Sequence, residues 1–139
     1  MVQLVVGKKG KGKTKQLLDK VNKEILNVSG NIVYLDKSTK HMYELNNKVR
    51  LIDVSSYLVS DTDEFIGFVC GIISQDHDLE QMYFDSFLKI ACIEDNEVEP
   101  VLNKLAKISE VFGVDFILSI SLDKEELPAA VQDKVIVSL

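Results

Sequence analysis

Six short apolar runs punctuate the chain, and between most of them the hydrophobic period becomes helical. Val2-Gln3-Leu4-Val5-Val6 stops at Gly7, Ile32-Val33-Tyr34-Leu35 at Asp36, and Gln81-Met82-Tyr83-Phe84 at Asp85. Val49 to Val54, Phe116 to Ser121 and Val135 to Val137 read in the same way. Runs of this kind, apolar without strict alternation, mark strands buried on both faces. A helix is expected over Lys13–Asn27, with Leu17, Leu18, Val21 and Ile25 on one face and Ser29-Gly30 as its stop. Another opens at Ser60-Asp61-Thr62 and carries Phe65, Ile66, Val69, Ile72 and Ile73; within it, Gly67 and Gly71 suggest close packing on the sheet. A third covers Glu97–Phe112, with Val98, Val101, Leu105, Ile108 and Phe112 in register before Gly113. Residues 37–47 read as irregular with one turn near His41–Leu45, and Ser86 to Cys92 as a short helix.

Helices of ten or more residues between apolar strands imply parallel pairing with both faces covered. The expected fold class is three-layer α/β, a mostly parallel sheet of five to six strands with helices on both faces. At 139 residues the chain, 1–139, is expected to form one domain. Hydrophobic residues at 46%, with only 7 Gly and 2 Pro, exclude a disordered or collagen-like chain. Apolar runs such as Phe116-Ile117-Leu118 fall far short of the roughly 20 residues of a membrane span. Met1 leads straight into Val2–Val6 without a basic flank, so no signal peptide is expected and the location implied is cytoplasmic. Cys70 and Cys92 lie among apolar neighbours and read as buried, reduced core residues.

In a parallel sheet, ligands bind beyond the carboxyl ends of the strands. That rule selects Gly7–Thr14, Asp36, Asp53, Asp85 and Ser119 to Ser121. Charge agrees with it: residues 1–50 carry a balance of +7 and residues 51–139 one of −13. A positive end on an acidic chain suits a small polyanion better than long nucleic acid, which the remaining surface would repel. Lys20 and Lys23 read as a solvated helix face.

Gly7-Lys8-Lys9-Gly10-Lys11-Gly12-Lys13-Thr14 matches G-x-x-x-x-G-K-[ST] at every fixed position. Glycines let the main chain fold around phosphate oxygens so that successive N–H groups point inward. The helix that follows adds the positive end of its dipole. Lys13 is then the group that reaches the β- and γ-phosphates, and the Thr14 hydroxyl takes a place on Mg²⁺. Gly7, Lys8, Lys9, Gly10, Lys11, Gly12, Lys13, Thr14 and Lys15 form the expected ATP-binding set.

The loop with its flanking strand and helix resembles the P-loop NTPases. A strand–helix block lies between this loop and the strand ending in Asp85, which resembles the RecA-like branch, where a strand inserts between the P-loop and Walker B strands. Met82-Tyr83-Phe84-Asp85-Ser86 is similar to the Walker B strand, and the resemblance implies Asp85 as a Mg²⁺ ligand, mostly through water. Ile32–Asp36 is similar to the strand that ends in an acidic motif, implying Asp36 as the catalytic base beside Lys13. Phe116–Ser121 takes the place of the strand that carries a polar γ-phosphate sensor, with Ser119 or Ser121 in that role. The chain is also similar to short bacterial P-loop chains labelled twitching-motility ATPases, without the acidic and His boxes of pilus-retraction enzymes.

The departures are instructive. The glutamate of RecA-like ATPases is missing after the second strand, where Asp36, Lys37, Ser38 and Thr39 stand. Arg50 is the only arginine, so an arginine finger would have to be Arg50, supplied across an oligomer interface. His41 and His77 lack neighbours at metal-ligand spacing. Tyr34, Tyr43 and Tyr83 are candidates for an adenine platform, two of them read more readily as core. No N-K-x-D occurs, which favours adenine over guanine. The expectation is a Mg²⁺-dependent ATP-binding protein, at best a slow ATPase, as a homo-oligomer or in a protein complex. The rivals are a non-catalytic phosphate-binding module and a small-molecule kinase.

Overall fold

Each strand sends alternate side chains to opposite faces of one sheet, and the two faces bury different sets. The computed structural model describes residues 1–94 and 98–139. The chain order is β1 Val2–Val6, α1 Lys13–Glu24, β2 Asn31–Asp36, β3 Arg50–Asp53, α2 Thr62–Ser74, β4 Leu79–Phe84, α3 Phe87–Ile90, α4 Val98–Phe112, β5 Asp115–Ile120 and β6 Val135–Ser138. The third long helix therefore matches expectation from Val98 onward; Glu97, its expected first residue, lies outside the described residues.

All five pairings are parallel, in the order β3-β2-β4-β5-β1-β6. The strand between β1 and β4 is β5, which follows Asp85 in sequence; the earlier extra strand, β3, lies at the sheet's edge. Leu4 and Val6 of β1, Val33 and Leu35 of β2 and Met82 and Phe84 of β4 face a core covered by α2, α3 and α4. Val5, Ile32, Tyr34, Tyr83 and Ile117 face the smaller core under α1. Helices thus cover both faces, as the apolar strands require.

Asp61 caps α2, its side chain accepting from the Glu64 N–H at 2.8 Å. Gly67 and Gly71 do not pack against the sheet: both are exposed, and a Cβ at either would meet nothing within 4 Å. The apolar face of α2 is instead Phe65, Val69, Ile72 and Ile73. Cys70 and Cys92 are free and only half-buried, not fully enclosed. Arg50 opens β3, at the strand end opposite Asp53, and lies 3.9 Å from Asp76. Among the described residues no helix is long and apolar enough to cross a membrane.

Gly30 has a reason that helix termination alone does not supply. A Cβ there would lie 2.0 Å from the Asp78 carbonyl oxygen, which accepts from Asn31 N–H at 2.8 Å. Gly30→Ala must push the β2 and β4 entries apart and is expected to destabilise by about 2–3 kcal/mol. Gly67→Ala, in open solvent on a helix, is expected to stabilise by roughly 0.5–1 kcal/mol. Denaturant midpoints of the two variants measure both, and equal midpoints would contradict the geometry.

Candidate functional site

The chain leaves β1 at Gly7 and re-enters regular structure at Lys13, so the loop lies at the carboxyl end of a central strand. Gly10 and Gly12 take φ of 86° and 95°, a region that a side chain would strain. Gly12 is the N-cap of α1, with no side-chain cap and no acidic residue in the first turn. The first N–H groups of a 12-residue helix are therefore left without a carboxylate to satisfy them, the arrangement an anion completes. Lys13 is buried, 8% exposed, and its Nζ donates to the Lys8 carbonyl at 3.0 Å. Burial lowers its pKa, and the nearby Asp85 charge pulls the other way.

Asp85 ends β4 and gathers four donors. Its Oδ1 accepts from the Thr14 hydroxyl at 3.2 Å, the Ser119 hydroxyl at 2.9 Å and the Ser86 N–H at 2.9 Å. Its Oδ2 accepts from the Tyr34 hydroxyl at 2.8 Å, a contact buried between β2 and β4. Ser86 stands in the left-handed region at φ 54°, which turns its N–H toward both Asp85 and the Ser119 oxygen. Such backbone strain is held only where its surroundings over-determine it. Because Thr14 gives its proton to Asp85, its lone pairs are left for a hard cation. Thr14 and Asp85 fit Mg²⁺, which takes one or two protein oxygens and completes its shell with waters and phosphate oxygens. No group of three or more His, Cys, Asp or Glu among the described residues could hold a metal alone.

Asp36 ends β2 and is 3% exposed. Its Oδ1 accepts from the Lys37 N–H at 2.7 Å, whereas its Oδ2 has no partner. Burial, then the Asp85 charge, pushes its pKa up to about 6. A buried carboxylate oxygen without a donor is costly, and the residue that carries it lines the cleft.

That cleft, of about 650 Å³, brings together Lys9, Gly10, Gly12, Lys13, Thr14, Asp36, Asp85 and Ser119. Lys37, Lys40, His41 and Lys89 complete its far wall. Four residues of the expected set, Gly7, Lys8, Lys11 and Lys15, do not line the cleft. Lys8 turns away to pair with Glu126 and, at 3.9 Å, Asp123, and the Glu126 hydrogen bond raises its pKa. Lys15 pairs outward with Asp19 at 3.4 Å. Gly7 is buried, its N–H donating to Leu122 O at 2.9 Å. Ser119 is tied to Asp85 and only 1% exposed, which leaves Ser121, just after β5, as the exposed hydroxyl that lines the cleft.

The sequence offers Tyr34 only as an adenine platform, not as a partner of Asp85. It is fully buried, stacked on Tyr83 at 6.0 Å with 12° between planes, and so is no base platform. Burial and the Asp85 charge drive its pKa far upward, so it serves as a donor. Tyr43 is exposed beyond any stacking contact, at 91%. The one available signal for Tyr34 was a polar-tipped residue in a strand bound for the sheet's interior. Tyr34→Phe leaves Asp85 Oδ2 without its donor and is expected to cost about 1–3 kcal/mol. It should also raise the Mg²⁺ concentration needed for half-maximal nucleotide binding. Unchanged thermal stability and Mg²⁺ dependence would remove Tyr34 from the site.

No protein-family model matches the sequence, and no curated protein matches it. Solved structures do. The flagellar accessory protein FlaH from Methanocaldococcus jannaschii superposes with a TM-score of 0.61 at 14% identity, over 95% of this chain and 65% of its own. A KaiC-like protein from the hyperthermophilic archaeon Pyrococcus horikoshii OT3 gives 0.65 at 17% identity, over 95% and 66%. The chain thus spans just under two thirds of the length of either protein. Both neighbours are RecA-like, and the six-stranded parallel sheet with its covering helices has that fold.

Proposed function

We propose that the chain is a Mg²⁺-dependent ATP-binding protein, at most a slow ATPase, that works through nucleotide-dependent shape or assembly. The observation that carries this is the bond between Thr14 and Asp85, 71 residues apart, in a cleft that Gly10, Gly12 and Lys13 of the glycine loop also line. RecA-like neighbours support a nucleotide-binding, ATPase-type module. In this reading the loop amides from Gly10 to Thr14 and Lys9 hold the phosphates, and Lys13 neutralises the β- and γ-oxygens. Thr14 and Asp85 hold the metal, whose charge offsets that of the phosphates when it is bound. Asp36 accepts the proton of the attacking water through Oδ2. Lys8, Lys11 and Lys15 contribute field rather than contact.

Hydrolysis is slow in this reading because Arg50 stands at the opposite strand end, so a transition-state arginine can come only from another copy. Assembly as a homo-oligomer or in a larger complex, and a cytoplasmic location, go with it. The rival of a non-catalytic anion module is favoured by Ser119, whose hydroxyl is already committed to Asp85. Titration of ATP, GTP and ADP with and without Mg²⁺ separates the two. Tight, Mg²⁺-dependent ATP binding with phosphate release supports the first, tight binding without turnover the second, and absence of nucleotide binding defeats the first. Size exclusion with and without ATP tests assembly.

A further inference from the structure

The cleft has two walls of unlike character, and of the far one the nucleotide reading uses Asp36 alone. Around the loop, Lys8 is paired with Glu126 and Lys15 with Asp19, while Lys11 is exposed and does not line the cleft. On the far wall, formed after β2 and by α3, Lys37, Lys40 and Lys89 are exposed. None of the three has a carboxylate partner among the described residues. His41, on the same wall, is bonded to Glu44 at 2.9 Å and is left out of the count. Unpaired cations gathered in one wall of a cleft attract an anion.

A second observation, independent of charge, points the same way. Asp36 lines the cleft and is 3% exposed, and its buried Oδ2 has no donor. An anion placed among the lysines would meet this carboxylate and be repelled unless it carried a proton to give. Hydrogen phosphate is a simple anion that does both, because it keeps one P–OH at neutral pH, and as a dianion it suits three lysines better than a monoanion such as bicarbonate. Sulfate and phosphomonoester dianions have none to offer.

We infer that the wall of Asp36, Lys37, Lys40 and Lys89 is a second subsite, beside the nucleotide, that binds inorganic phosphate. The P–OH donates to Asp36 Oδ2, and the charged oxygens rest on the three lysines. This rests on the nucleotide reading only for what fills the neighbouring cradle. The ion can come from solution or from hydrolysis in that cradle; the chemistry of the subsite is the same for both.

The test is calorimetric titration of inorganic phosphate, at pH 7.5, into the full chain saturated with Mg²⁺ and a non-hydrolysable ATP analogue. Filling the loop with the analogue removes the loop itself as a phosphate site, and no phosphate is released in place. The expected result is one phosphate per chain, bound about tenfold or more tighter than sulfate, since sulfate leaves the buried oxygen unpaired. The double variant K37A/K40A, both exposed positions, should lose this event by about tenfold or more and keep its affinity for the analogue. Asp36→Asn, whose amide can donate, should bring sulfate to within a few-fold of phosphate. Circular dichroism checks that the variants fold. The inference is overturned if the loaded protein binds no phosphate, if sulfate binds equally well to the wild type, or if K37A/K40A weakens the analogue instead, which would make these lysines γ-phosphate ligands. If the analogue does not bind at all, phosphate is titrated into the free protein. Loss of that binding in K37A/K40A but not in Lys13→Ala then sinks the nucleotide reading alone, and the reverse pattern sinks the subsite.

Discussion

Lys13→Ala is expected to weaken Mg²⁺–ATP binding by a factor of about 100 or more while leaving the free protein folded. The ammonium is buried and held by a single carbonyl, that of Lys8, so little competes with an incoming phosphate for it. A hydrogen bond to a charged partner is worth about 1.5–3 kcal/mol, and Lys13 is placed to make such bonds to two phosphates. About 3 kcal/mol corresponds to the hundredfold loss. The free protein should not suffer, because burial already disfavours the charged form of Lys13, as its lowered pKa records. ATP titration and thermal melts of the variant read both parts. An affinity within threefold of wild type would mean that the loop binds no polyphosphate.

Asp36→Asn is expected to act on stability and on turnover in opposite directions as pH rises. The Asp36 carboxyl has an ordinary pKa of 3.8 and is pushed up to about 6 in the folded chain. Between about pH 4 and pH 6 the native state therefore holds a proton that the unfolded state has released. Stability falls as pH rises through that window, because the native site resists ionisation. At about 1.4 kcal/mol per pKa unit, the loss is up to about 3 kcal/mol. The variant cannot ionise there, so its stability difference from wild type should shift in its favour by that amount between pH 4 and pH 7. Turnover has the opposite sign: a base works only when ionised, so any wild-type ATPase rate should rise through pH 6. Asp36→Asn should cut that rate by a factor of about 100 or more. Parallel denaturation curves of wild type and variant across pH would show that burial does not perturb Asp36.

The glycine loop and its partner strands were legible because their signals are local. Six apolar runs announced six strands; β1 ends at Val6 before Gly7, β2 at Asp36 and β4 at Phe84 before Asp85, because the apolar run ends there. Less was legible where two segments meet. The strand between β1 and β4 could not be named from order along the chain, since β5 enters the sheet only after Asp85 has been passed. Gly67 and Gly71 had the spacing of a packing motif, yet helical phase turns both to solvent.

The site divides along the same line. Composition and spacing determined that a glycine loop stands between the first strand and the helix after it, because such a loop needs no distant residue to form. Which of its lysines face the cleft was decided by the tertiary structure. Lys13 is enclosed beside Asp85, while Lys8 is drawn off by Glu126, 118 residues away. Sheet register likewise placed Tyr34, Thr14 and Ser119 around one carboxylate, and burial left one Asp36 oxygen without a donor. A linear pattern records which groups a chain carries. The solvation and charge that set their chemistry arise only from what folding brings beside them.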